Sequence, residues 1–177
     1  PATSTPKVAA VSAVEVSLNP AGPMVVKTGV SEFHLLPSGY LEAFLIRNGQ
    51  RLTLDDPATG VPSGGAVVAG KRVRDFAFDL AKPAVSDVTG KLGALGKRID
   101  VTGHSASSGL DETLSVEVYD DFPTMALVTA VFRNPGQEDI ALDAVSVQEH
   151  RINASLADAK VPPHQLWSFQ GASYDWG

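Results

Sequence analysis

Short runs of alternating apolar and polar residues, separated by Gly, Pro, Asn and Asp, dominate the chain, and a period of two predicts β-strands with one buried face. Val8 to Leu18 carries Val11, Val14, Val16 and Leu18, with Glu15 and Ser17 between the later ones. Asn19-Pro20-Ala21-Gly22-Pro23 breaks that run, since proline removes a backbone donor and favours a turn. Met24 to Lys27 and Glu32 to Leu36 predict two brief strands, the second closed by Pro37-Ser38-Gly39. Tyr40 to Arg47 and Arg51 to Leu54 flank Asn48-Gly49, a pair that accepts the positive φ of a two-residue hairpin turn. Asp55 to Gly65 reads as a surface loop.

Arg72 to Leu80 places Arg74, Phe76, Phe78 and Leu80 on a buried face, with Val73, Asp75, Ala77 and Asp79 opposite. Ala84 to Val88 and Lys97 to Gly103 continue the pattern, the latter with Ile99 and Val101 on one side. Thr113 to Tyr119 aligns Leu114, Val116 and Val118. Met125 to Phe132 is apolar on both faces apart from Thr129, which predicts a central strand covered on both sides. After Asn134-Pro135-Gly136, Ile140 to Val147 predicts a last strand. Helical composition is confined to Ala154 to Lys160, before Pro162-Pro163. Roughly ten to twelve strands with frequent turns predict an all-β fold, a two-layer antiparallel β-sandwich.

A chain of 177 residues is long enough for one domain with its own core. The expected division is an extended leader over 1–9, the sandwich over 10–161 and an aromatic linker over 162–177. The Pro/Ser/Thr/Ala-rich leader resembles what remains after a signal peptide is removed, which points to a secreted or periplasmic protein. No window is apolar enough to span a bilayer. Fourteen Lys and Arg against 20 Asp and Glu give a net charge of −6, which argues against nucleic acid and anionic membranes as partners. The absence of cysteine excludes disulfides, thiolate metal sites and cysteine nucleophiles. Neither a GxGxxG nor a P-loop occurs, and no cofactor is expected.

Candidate chemistry is sparse. The four histidines, His34, His104, His150 and His164, show no metal-ligand spacing. His34 reads as a strand histidine. Glu149-His150 pairs an acid with a base, but adjacent strand residues face opposite ways. His104-Ser105-Ala106-Ser107-Ser108-Gly109 reads as a flexible polar linker. Asp120-Asp121 reads as a turn, because the carboxylates of a glycosidase must face each other across a substrate. A calcium site from Asp55, Asp56, Asp120 or Asp121 lacks a supporting spacing. The tail concentrates aromatic and polar groups suited to carbohydrate: Trp167, Gln170, Tyr174 and Trp176 are the candidate sugar-binding residues. An interdomain linker packed against a neighbour explains the same composition.

Leu114-Ser115-Val116-Glu117-Val118-Tyr119-Asp120-Asp121-Phe122-Pro123-Thr124-Met125-Ala126-Leu127-Val128, followed by Phe132-Arg133-Asn134-Pro135-Gly136, resembles the amino-terminal β-supersandwich of melibiase-type α-galactosidases. Trp167-Ser168-Phe169-Gln170-Gly171-Ala172-Ser173-Tyr174 is similar to the tryptophan-bearing segment that follows it there. The resemblance covers about Leu110 to Gly177, and the family sandwich is usually longer than this chain. It implies a galactose-mutarotase-like supersandwich that packs on a catalytic barrel of the same polypeptide. It also implies that the catalytic aspartates lie on that barrel, with no counterpart here. Trp167 would approach the sugar pocket. Two other readings stay open: a free-standing carbohydrate-binding module, and a mutarotase-like epimerase using His104 or His150 with Glu149. A homo-oligomer is open as well.

Overall fold

The computed structural model describes residues 11–19, 22–57 and 64–165. The predicted leader, and the aromatic tail from residue 166 onward, lie outside these residues. The described chain is all-β, with thirteen strands in three antiparallel sheets and one short 3-10 turn.

The first sheet is a meander of β1 (Glu15–Ser17), β2 (Met24–Lys27), β3 (Ser31–Leu35), β4 (Leu41–Arg47) and β5 (Gln50–Leu52). Asn48 and Gly49 take φ of 51° and 74° between β4 and β5, the two-residue turn that the sequence predicts. The third sheet to complete, but the next in sequence, begins with β6 (Gly65–Val68) and β7 (Lys71–Val73) and ends with β13 (Leu142–Ser146), in the order β13-β6-β7. Between them in sequence come β8 (Phe76–Phe78), β9 (Ala84–Asp87), β10 (Gly96–Ser105), β11 (Asp111–Tyr119) and β12 (Ala126–Arg133). These form the second large sheet, ordered β12-β11-β10-β8, with β9 also on β10.

The two larger sheets share one apolar core. Met24, Val26, Phe33, Leu35 and Leu41 enter it from the first, and Phe76, Phe78, Ile99, Val101, Leu114, Val116 and Val118 from the second. Burial of these alternate side chains is the main favourable term that holds the layers together. The turn between β11 and β12 fastens the layers at one end. Thr28 Oγ1 donates to the Pro123 carbonyl at 2.9 Å, and the Ser31 hydroxyl donates to the same oxygen. Asp120 accepts from the Ser12 hydroxyl at 2.7 Å and from the Ala13 N–H.

Several expectations are corrected. β12 is an edge strand rather than a central one: Ala126, Val128, Ala130 and Phe132 pack on the core while the alternate residues face outward. The predicted strand over 72–80 is two strands in different sheets, so the inward–outward alternation resets at Arg74-Asp75 and Val73 is buried. The β6–β7 hairpin starts at Gly65, the last residue of the predicted loop, and its turn puts Ala69 at φ 47°, a position alanine rarely marks, so β6 is not predicted. Residues 104–109 are not a flexible linker. His104 and Ser105 end β10, and Ser105 is fully buried with its hydroxyl 2.7 Å from Asp75. The helical segment shrinks to a 3-10 turn at Ala154–Leu156, capped by Asn153.

The alternation that turns Leu114, Val116 and Val118 inward also turns Glu112 inward, where it is 2% exposed beside Phe76, Phe78 and Leu114. Burial pushes its carboxyl up from 4.5 to about 7. The folded state therefore holds a proton that the unfolded chain releases. The resulting cost opens as pH rises past 4.5 and is complete above about 7. Glu112→Gln is expected to stabilise the protein at pH 8 by on the order of 2 kcal/mol, about 4–8 °C in Tm, with the gain vanishing below pH 4.5. Thermal melts of both proteins across pH check this.

Candidate functional site

A groove of about 540 Å³ runs along the first sheet. Phe33 of β3, Ala43 and Leu45 of β4 and Leu52 of β5 form one wall, since the register sets Phe33 opposite Ala43 and Leu45 opposite Leu52. Ile152 and Ala157, from the segment after β13, form the other, and Thr124 closes one end. The lining is mainly apolar, and Leu45, Leu54 and Ile152 are each exposed. That volume lies within the range of small-ligand pockets, and the exposed apolar area marks an interaction surface.

One polar cluster sits on this groove. Asp55 is buried and accepts from the Tyr40 hydroxyl, the His150 ring Nδ1 and the Ala43 N–H, each at 2.8 Å. Tyr40 Oη also accepts from the Arg151 N–H at 3.1 Å. The backbone brings these groups together: Asp56 N–H donates to the Arg151 carbonyl and Asn153 N–H to the Leu54 carbonyl, so 54–56 and 151–153 run side by side. Gln148 adds a clip, accepting from Leu41 N–H and donating to the Gly39 carbonyl.

Burial pushes the Asp55 carboxyl upward, but the bonds from His150, Ala43 and Tyr40 outweigh it and hold it below the usual range. Burial, together with the adjacent Asp55 carboxylate, pushes the Tyr40 phenol well above its ordinary value. With Nδ1 committed to Asp55, a neutral His150 ring offers Nε2 as an acceptor. The arrangement can therefore orient a base beside an apolar surface. It holds no second carboxylate among its lining residues, and hydrolysis of a glycoside needs a facing pair.

The predicted sugar-binding residues Trp167, Gln170, Tyr174 and Trp176 lie outside the described residues. Ala154 N–H donates to the Pro163 carbonyl, which holds residue 163 beside the 3-10 turn. Glu149 and His150 serve separate places: Glu149 pairs with Arg74 at 2.6 Å, while His150 meets Asp55. His34 is a strand histidine, 3.2 Å from Glu32, with its ring tilted against Phe44 at 4.6 Å between centroids. His104 pairs with Asp111 across the hairpin. The described residues contain no group of three or more His, Asp or Glu placed to hold a metal ion. No described helix is long and apolar enough to cross a membrane. Tyr40 is the residue that sequence reasoning missed, and Asp55 figures there only as a calcium ligand, not as the partner of His150. His150 lies 95 positions from Asp55, and no local pattern links them.

Comparison with protein-family models, with curated proteins and with solved structures gave no match.

Asp55→Ala is expected to cost on the order of 3 kcal/mol, because it leaves the Ala43 N–H without an acceptor and the buried Tyr40 hydroxyl with only the longer, 3.3 Å bond to the Arg151 carbonyl. Asp56→Ala, on an exposed pair with Arg151, should cost under about 1 kcal/mol. Since the Asp55 carboxyl is lowered from 3.8 in the folded state, its contribution is present above pH 3.8 and lost as pH falls through the lower folded value. Urea unfolding at neutral and acidic pH measures both effects.

Proposed function

We propose that this chain is the non-catalytic β-sandwich module of an α-galactosidase-like glycoside hydrolase, packing on a catalytic barrel of the same polypeptide and helping to shape a carbohydrate pocket. The observation that carries the reading is the groove: an extended apolar surface whose one carboxylate is spent on internal bonds. Such a surface suits packing against another domain better than bond cleavage. The residues that resemble the family form the β11–β12 hairpin and its tight turn, which contributes Thr124 to the groove and ties to Thr28 through the Pro123 carbonyl. In this reading the segment from Leu166 onward carries Trp167 toward the sugar, and the protein is exported.

A second reading rests on the Asp55–His150 pair. A histidine oriented by a carboxylate can take the proton of a sugar's anomeric hydroxyl, while its imidazolium or water returns one to the ring oxygen, the exchange that a mutarotase-like epimerase requires. The imidazole would act with Asp55 rather than with Glu149.

The purified chain is expected to show no sustained turnover of aryl α- or β-glycosides. In the whole enzyme, cleaved by limited proteolysis after Gly177, the module should co-elute with the remainder, and Leu45→Lys with Ile152→Lys should separate the two. Turnover by the isolated chain, or separation of the unmutated pieces, overturns the docking reading. Polarimetry on fresh α-galactose decides the second: a rate enhancement abolished by His150→Ala establishes epimerisation, and a rate equal to buffer rejects it.

A further inference from the structure

Sheet edges offer rows of unpaired N–H and C=O groups, which proteins blunt by short strands, charges or bulges. In this fold β1, β5, β7 and β8 are three residues each, and β9 is four. β13 is five residues long, with Asp143 on it and a register shift beside that residue. β12 is neither short nor bulged, and its one charge, Arg133, is its last residue. It runs eight residues, pairs with β11 along one side, and has no described strand along the other. No charged residue occurs from Met125 to Phe132. Its outward side chains Leu127 and Val131 are 37% and 62% exposed.

We infer that β12 is the seat of a second copy of this chain, two molecules joining by antiparallel β12–β12 pairing into one continuous sheet. The sequence of the strand is self-complementary about Thr129. A two-fold axis there sets Leu127 against Val131 on the outward face, Thr129 against its own copy, and Val128 against Ala130 on the core side. Aliphatic and Thr–Thr cross-strand pairs of this kind stabilise sheets. The one charge on the strand, Arg133, falls opposite Met125, so like charges do not meet across the seam, which matters for a chain whose net charge is −6. Pairing of identical edges is isologous and closes at two, and the short strands elsewhere give no second edge for growth. The inference concerns the opposite sheet from the groove and is independent of the module's proposed role.

Sedimentation velocity of the purified chain across the micromolar range tests it. A reversible monomer–dimer equilibrium is expected, weakened roughly tenfold or more by Val131→Lys or Leu127→Lys, which place an unpaired charge on the seam. Leu45→Lys, in the groove, should leave it unchanged. Hydrogen exchange gives a readout without mutation: alternate amides of β12 should gain protection as concentration rises. A chain that stays monomeric throughout overturns the inference, as expected if a strand of another domain occupies this edge. So do association beyond two copies, a dimer weakened by Leu45→Lys but not by Val131→Lys, and β12 exchange that ignores concentration.

Discussion

The Asp55 carboxylate is the constraint around which the groove end of the fold is arranged. A buried anion is costly unless its lone pairs are taken up by donors, and here a phenol, an imidazole and a backbone N–H all converge on it. Those three donors come from two distant stretches, 40–43 and 150–151. Satisfying one charge therefore decides where the segment after β13 must lie. With that segment fixed along β4 and β5, the apolar walls stand apart and the groove exists. The carboxylate contributes specificity of arrangement, while the stability of the layers comes from the apolar core between them.

The second sheet carries the opposite kind of tension. Its inward face is apolar and complete except at Glu112, whose burial pushes its carboxyl up to about 7. Its outward face is polar at the centre, where Arg98 bridges Asp100, Glu117 and Ser115. That polar face becomes aliphatic only at β12. The change of character from centre to edge is what distinguishes β12 from an ordinary solvent-facing strand, and it explains why a run apolar on both faces occurs in a strand that has neighbours on one side alone.

Loops that read as unstructured polar chain are in fact fixed by short-range bonds. Asp75 accepts from both the Ser105 and Ser107 hydroxyls and the Ser107 N–H, and these bonds hold its carboxyl down to about 2. Asp120 does the same for the incoming chain at Ser12 and Ala13. The aspartates that invite a reading as catalytic or metal-binding groups are thus turn-forming and segment-tying acceptors, a use that short acidic side chains share with Asn and Ser.

Period-two patterning determined the fold class, the Asn48-Gly49 hairpin and the inward faces of β10 and β11, because one buried face imprints itself on alternate residues. Glu149 and His150 do go to separate places, but both lie beyond β13, which ends at Ser146, so strand alternation is not the reason. Sheet membership was not legible in the alternation either. Nothing local shows that the strand over 72–80 divides between two sheets, that Ala69 turns a hairpin, or that β12 ends a sheet instead of crossing its middle. The Asp55–His150–Tyr40 cluster was equally invisible, since it joins residues 95 and 111 positions apart through backbone pairing that forms only once the layers have met. Alternation is a property of one strand and its two faces. Order within a sheet and partners for a buried charge are set by the global balance of burial and hydrogen bonding, so the tertiary structure alone decided them.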